Sequence, residues 1–496
     1  MTQAFPAAAR HLSMLQALGS QFVYADLRKQ GESQAWAVVL VRFSGAVEAA
    51  FGLTREVAFF YFPFFDLQIR SFMAAKAWIE ETKREITPDL VFLSAPDDRL
   101  LTKLQDWSNL RMTAVPLPHD MGDEPIAIIT QLRDRVYARD LFYETAPVSG
   151  DRFFGRVTLL QELRDDIAHQ RVSGLFGLRK SGKTSILHEL RDSLRSESLL
   201  PVFVDLESLP SAPEDPTEEF VYEICMRLSE DLNSRAIRSN ALTRAIASPT
   251  IRNFKAGLDH SLAKAEAKGV GVALMLDEIE FLTPADKLDI AEGPWGGIAQ
   301  GLSVLRANAQ SRSNFTFILA GLTNHILENG RLYGRPNPLF SWAKSRYVGP
   351  FARSEADDLA RTVGSRMGVE IEDGALRALY DASGGHAYLY RNLASEVIKS
   401  LPIDTYRRVM RSADVLRALS GWRRSIAGNL EEIVNHLKSY YPEESILLEV
   451  LRDSPEQFSE YSAGEDLAVH HLTSLGLVHE SRGRFTPAQI LELQWA

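Results

Sequence analysis

The stretch Gly177 to Thr184, GLRKSGKT, constrains this chain more than any other. It follows a short apolar run, Val172 to Phe176, and precedes Ser185 to Leu190, whose apolar spacing suits a helix. A Gly-x4-Gly-Lys-Thr loop between a strand and a helix is suited to a polyphosphate. Its glycines let successive backbone N–H groups face one point, and the helix N-terminus adds positive field there. Gly177, Lys180, Ser181, Gly182 and Ser185 are then candidate phosphate contacts, Lys183 reaches the β- and γ-phosphates, and Thr184 ligates Mg²⁺. A chance glycine-rich turn is the alternative, and the legible strand and helix on either side speak against it.

A second stretch adds chemistry to the loop. Val270 to Glu278, VGVALMLDE, reads as a buried strand ending in two carboxylates. Asp277 is placed to hold the metal's hydration shell, and Glu278 to orient and deprotonate a water for attack on the γ-phosphate. A hydrolase is therefore expected, with ATP and Mg²⁺ as its cofactors. Around these motifs the pattern predicts a strand over Leu200–Leu206, helices over Thr217–Asn233 and Trp295–Ala309, and a strand over Phe315–Ala320.

Length and composition bound the rest. A chain of 496 residues is too long for one ordinary core and suggests roughly three domains. No apolar run approaches the roughly 18 residues of a membrane span, and the N-terminus lacks the pattern of a secretory signal. The single cysteine, Cys225, cannot form an intramolecular disulfide, so a cytoplasmic location is expected. A net charge of −10 argues against a nucleic-acid footprint over the whole surface.

Residues 1–142 read as a small α/β domain. A helix is expected over Ala7–Ala17, and strands at Trp36–Phe43, Val57–Phe62, Leu90–Leu93 and Met112–Leu117. Further helices are expected near Phe64–Lys83 and Arg99–Trp107. Asp97 and Asp98 fall just past a strand end, where open α/β sheets bind ligands, and Asp89 follows a proline as in some nucleases. No Glu-x-Lys or Asp-x-Lys partner lies at a sensible distance from them. Fifteen Lys and Arg stand against sixteen Asp and Glu between residues 10 and 139, so no basic face is implied. A sensor, docking or effector module fits better than a nuclease.

Upstream of the loop, Phe153-Phe154-Gly155-Arg156 resembles the hydrophobic-hydrophobic-Gly-Arg box of STAND and origin-initiator AAA+ ATPases, which closes over adenine. Phe153 and Phe154 offer an apolar wall for a purine, and Gly155 allows close backbone approach. With this box, the phosphate loop, Asp277-Glu278 and the strand before Thr323-Asn324 in order, residues 150–496 resemble a STAND-class P-loop ATPase with a helical lid and a winged helix. The resemblance implies a P-loop core at 150–350 with a three-layer αβα fold, a lid at 351–430 and a winged helix at 437–496. It makes Thr323 and Asn324 the candidate polar sensor between phosphate and water. It also makes His386, in Gly384-Gly385-His386-Ala387, a residue facing the nucleotide, although Ala387 stands where the family has proline. The arginine that often follows the family's Pro-Leu-aromatic stretch is replaced by Ser341-Trp342, leaving Arg331, Arg335 and Arg346 as nearby substitutes.

The presumptive winged helix carries four Lys and Arg against ten acids, and its candidate recognition helix, EDLAVHHLTSLG, has no Lys or Arg. Phosphate neutralisation supplies much of DNA affinity, so a protein-contacting role is expected. Arg407, Arg408, Arg411, Arg417, Arg423 and Arg424 form a basic segment just before it, expected to solvate helices and pair with the acidic domain. The expectation is an ATP-driven conformational switch that signals to a protein partner or to its own oligomer, without a membrane. The resemblance places such switches in bacterial signalling and antiviral defence. A DNA-associated AAA+ ATPase and an ATPase-regulated nuclease or effector are the rivals.

Overall fold

The computed structural model describes residues 5–495 apart from 31–33, 109–111, 197, 210–214, 284–294, 403–406, 463–466 and 482–483. The chain divides into two compact units. One comprises Met1–Thr145, Ala356–Ala382 and Tyr390–Trp422, the other Ala146–Glu355, Ser383–Leu389 and Arg423–Ala496. Residues 356–382 and 390–422 thus group with residues 1–145.

The first unit is organised by a five-stranded sheet in the order β1 (Gln21–Gln30), β2 (Gln34–Arg42), β3 (Glu56–Tyr61), β4 (Ile86–Ser94) and β5 (Thr113–Pro116). β1 to β3 form an antiparallel meander, and β3, β4 and β5 run parallel. All six residues of β3 are buried because both sheet faces are covered. Val57, Phe59, Leu90 and Phe92 face one apolar cluster and Ala58, Phe60, Val91 and Leu93 the other. The predicted helices appear at Pro6–Ala17, Ile69–Glu81 and Leu100–Trp107. Strand β1 and the helices Gly45–Phe51 and Ile126–Val136 were not predicted.

Two sequence candidates in this unit are occupied by structural work. The buried Asp97 accepts from the Leu67 and Arg99 amides at 2.7 and 2.8 Å and from Lys103 Nζ at 2.6 Å, closing the turn after β4. Asp89 pairs with the buried Arg139 at 3.4 Å. Among the described residues, no group of His, Cys, Asp or Glu is placed to hold a metal. The basic segment is also internally matched. Arg407 pairs with Glu370 at 2.9 Å, Arg411 with Glu372 at 3.4 Å and Arg417 with Asp414 at 3.3 Å. Arg408 is buried and donates to the Tyr137 carbonyl at 3.2 Å. The expected pairing of these four arginines with the acidic C-terminal domain is corrected: their partners lie on neighbouring helices and strands of their own unit.

The second unit holds a parallel sheet in the order Lys344–Tyr347, β6 (Ser173–Phe176), β9 (Phe315–Gly321), β8 (Gly271–Asp277), β7 (Leu199–Asp205). β6 and β9 are buried throughout, as strands covered by helices on both faces must be. Val157–Ala168 and Lys183–Leu194 pack on one face. Pro216–Ser234, Ile251–Ala267 and Gly296–Ser311 pack on the other. Cys225 is buried in the second of these layers, and burial pushes its thiol up to about 12.

Arg346 is not the exposed finger substitute that the sequence suggested. It lies buried on the edge strand, and its guanidinium bonds Asp166 from both Nε, at 3.0 Å, and Nη2, with Glu162 as a further partner. Arg331 and Arg335 remain exposed on a two-stranded ribbon.

The chain ends with helices Pro442–Asp453, Pro455–Ser462 and Leu467–Ser474, a ribbon of Val478–Ser481 with Arg484–Pro487, and helix Gln489–Trp495. The sequence reads Val478–Glu480 and Arg484–Thr486 as a two-stranded wing turning at Arg482-Gly483, and that turn lies outside the described residues. No helix among the described residues is long and apolar enough to cross a membrane.

Candidate nucleotide site

The parallel register brings the ends of β6, β9 and β8 side by side, with the GLRKSGKT loop rising from β6. Gly182 has φ 103°, a conformation that strains any side chain, and it caps the helix starting at Lys183. Lys183 is buried, and its Nζ donates to the Gly177 and Leu178 carbonyls at 3.2 Å each. The ammonium is therefore held inside the loop, beside the N-terminus of its helix. Ser181 Oγ is buried there without a partner, an orphan that a phosphate oxygen would satisfy.

Across the sheet end, Asp277 is buried at the tip of β8 and bonded to the Thr184 hydroxyl. Burial raises its carboxyl to about 6, against the lowering pull of Thr184 and Lys183. Glu278 follows with φ 55°, a left-handed backbone that is uncommon for a non-glycine residue and turns it off the strand axis. Lys183, Thr184, Asp277 and Glu278, predicted from two separate stretches, thus meet at one place. The buried hydroxyl–carboxylate pair suits a hard cation, and the amide-rich loop suits a polyphosphate.

The other predicted contacts divide. His386 reaches the loop: its imidazole is held neutral, pushed down to about 4 by burial and then by Arg156, Lys183 and Lys180. Ser185 instead uses its hydroxyl on the Val148 amide at 3.1 Å, fastening the incoming segment to the helix. Lys180 lies 4.6 Å above the Tyr388 ring and 3.8 Å from Glu432, with Asn429 bonded to it. Gly155, at φ 66°, lies so close to Glu355 that an added Cβ would stand 2.8 Å from its Oε1. Arg156 has its guanidinium donating to the Gly349 and Pro350 carbonyls at 2.6 and 3.1 Å and stacked 4.6 Å over Phe351. Phe154 is half-buried.

No protein-family model matches this chain, and no curated protein matches it significantly. Solved structures do. A Walker-type ATPase of Pyrococcus abyssi superposes with a TM-score of 0.53 at 15% identity, covering 72% of this chain and 99% of that one. The ORC1 protein of Aeropyrum pernix in complex with DNA gives 0.35 at 14% identity, over 72% and 95%. The RuvB Holliday junction branch migration motor of Thermotoga maritima gives 0.36 at 14% identity, over 69% and 95%. The second unit has a three-layer αβα P-loop fold.

In this unit, sequence reasoning missed Glu280. It is buried and accepts from the Leu322 amide at 3.0 Å, and its carboxyl is hydrogen-bonded to Glu278. Burial raises Glu280 well above the ordinary carboxyl range, and the bond to Glu278 and its charge add to this. Glu278 moves the opposite way. Burial alone would raise it, but the bond from Glu280 and the charges of Lys183 and Arg179 hold it low. Glu280 is therefore the protonated donor and Glu278 the carboxylate acceptor. An amide reproduces that donor and still accepts from Leu322. Glu280→Gln is accordingly expected to change stability by less than about 1 kcal/mol in a thermal melt, whereas an ionised Glu280 would make the change larger.

Thr323 and Asn324 follow β9, but Asn324 faces the C-terminal helices. Its Nδ2 lies 2.6 Å from Tyr347 Oη and 3.2 Å from His471 Nε2. Thr323 Oγ1 accepts from the His325 amide at 3.2 Å. The phosphate loop is also met by the helix Ser412–Tyr440, where Glu432 pairs with Arg179 at 3.1 Å and His436 lies 3.4 Å from the same guanidinium. Arg179, Glu432 and His436 carried no motif signal, because their association depends on contacts remote in sequence.

Proposed function

We propose that this chain is an ATP-hydrolysing conformational switch of the STAND type. The observation that carries the reading is the meeting of Lys183, Thr184, Asp277 and Glu278 at one end of the parallel sheet. In this reading the loop amides and Lys183 bind the triphosphate, Thr184 and Asp277 hold Mg²⁺, and the carboxylate of Glu278 takes a proton from the attacking water. Bound Mg²⁺ supplies charge neutralisation on the β- and γ-phosphates. His386 adds a neutral hydrogen-bonding group beside the loop. The helix Ser412–Tyr440, through Glu432 and His436, is an element whose contacts with Arg179 and Lys180 change when those cations meet phosphate.

We read the C-terminal helices and ribbon as a winged helix that contacts protein. Its helix Leu467–Ser474 buries Ala468, Val469, His471 and Leu472, which favours a docked face over a DNA-reading one. The internal pairing of Arg407, Arg411 and Arg417 supports the same preference. A setting in bacterial signalling or defence is what the STAND resemblance adds. The test is phosphate release from Mg-ATP by the purified chain. Lys183→Ala is expected to weaken ATP binding by about 10²-fold in equilibrium titration, corresponding to the loss of its charge-assisted contacts. Unchanged affinity in that variant would remove the loop from the account.

A further inference from the structure

The turn that follows β9 is held from both sides by groups that no motif assigns. On one side the Leu322 amide donates to Glu280 Oε2 at 3.0 Å, and Glu280 is bonded to Glu278. On the other, Tyr441 Oη donates to the Leu322 carbonyl at 3.2 Å, and His471 meets Asn324 at 3.2 Å. His471 itself is clasped by two carboxylates. Its Nδ1 lies 2.6 Å from Glu444 Oε1, and its Nε2 lies 3.0 Å from Glu328 Oε2.

An acceptor at each ring nitrogen requires a proton on each. Burial alone would lower the imidazole, but the hydrogen bonds and charges of Glu328 and Glu444 raise it to about 9. A doubly protonated ring cannot accept from an amide N–H. Turned so that Oδ1 faces Nε2–H, the Asn324 amide accepts there from His471 and from the Tyr347 hydroxyl, and its NH2 group moves to the place where Oδ1 had no partner. The charged imidazole thus selects one orientation of a fully buried amide. Tyr347, Tyr441, His325 and His470 are the other titratable groups about this cluster.

We propose that His471 is a positioning residue for ATP hydrolysis, fixing the Asn324 amide and, with Tyr441, the turn that also seats Glu280 against the base Glu278. It rests on the reading of Glu278 as base. Hydrolysis then depends on the C-terminal helices being in place, because His471 and Glu444 both belong to them. Unlike the nucleotide contacts, this coupling touches the chemical step and not binding.

The test compares His471→Ala, His471→Gln, Asn324→Ala and the Asn324→Ala/His471→Ala pair in the full chain with Mg-ATP. His471→Ala is expected to lower kcat about tenfold with KM within about twofold, and the double variant to match Asn324→Ala alone. His471→Gln, which keeps a donor, recovers part of kcat. The pH dependence has a defined sign. The folded state raises the His471 pKa above 6.5, so the clasp is fully present below about 6.5 and is lost as pH rises through about 9. Wild-type kcat therefore falls on that alkaline limb, and His471→Gln lacks the limb.

Parent kcat in His471→Ala, or additive losses in the double variant, would overturn the proposal. If His471→Ala lowers the melting temperature, the wild-type alkaline limb and His471→Gln decide it, and absence of the limb counts against. Glu278→Gln at parent kcat would instead overturn the underlying reading of the base, and Asn324→Ala at parent kcat would overturn the link through Asn324 proposed here. Slow turnover in both, with His471 variants unaffected, would defeat this proposal alone.

Discussion

Glu278→Gln is expected to bind Mg-ATP as tightly as the parent and to hydrolyse it about 10²- to 10⁴-fold more slowly, the range that a positioned general base contributes. The substitution keeps the side chain's size and its acceptor for the Glu280 proton, and it leaves Lys183, Thr184 and Asp277 in place. What it removes is the basic oxygen. Glu278 is suited to that role because Glu280, Lys183 and Arg179 hold its carboxyl low despite burial, keeping it ionised at neutral pH. Equilibrium ATP binding and single-turnover phosphate release separate the two quantities. Parent-rate release from the bound nucleotide would show that another group activates the water.

Arg346→Ala is expected to destabilise the second unit by about 3–5 kcal/mol, the cost of leaving a buried charge without its partner. The Asp166 side chain is only 5% exposed and has Arg346 at its Oδ2, with the Ser173 hydroxyl donating to the same oxygen at 2.6 Å. This pair ties the edge strand Lys344–Tyr347 to the helix Val157–Ala168, beside β6 and so beside the phosphate loop. Replacing both partners by apolar residues of similar volume should cost less than removing Arg346 alone. Urea unfolding monitored on the parent, the single and the double variant provides the comparison. A single-variant loss under about 1 kcal/mol would mean that the pair is solvated and that Arg346 is free for other work.

The phosphate loop and the Asp277-Glu278 strand end were legible because their spacing is imposed by backbone geometry within a single turn. The buried strands β3, β8 and β9 were legible for a related reason: covered on both faces, they read as unbroken apolar runs. β1 gave no such signal. It is an edge strand with polar and charged residues interleaved among Phe22, Val23 and Leu27, so its pairing with β2 carries no clear periodicity.

The misread arginines share one cause. Arg346 and Asp166 are 180 positions apart, and Arg407 meets Glu370 across a parallel strand pair, so neither partner could be found by local pattern. Glu280 was passed over beside a motif because its acceptor role involves Leu322, 42 positions away. His471 drew no reading of its own, because its helix was read only as lacking Lys and Arg. Between Glu444 and Glu328 it becomes the buried cation of that helix.

The central claim is that the state of the phosphate loop and the placement of the C-terminal helices are coupled. Hydrogen exchange over Leu467–Ser474, measured on Glu278→Gln with Mg-ATP and on the parent chain with Mg-ADP, tests it most directly. The account predicts different protection of that helix in the two nucleotide states, with a matching difference over Leu322–His325. Identical protection in both segments, with each nucleotide bound to saturation, would contradict it.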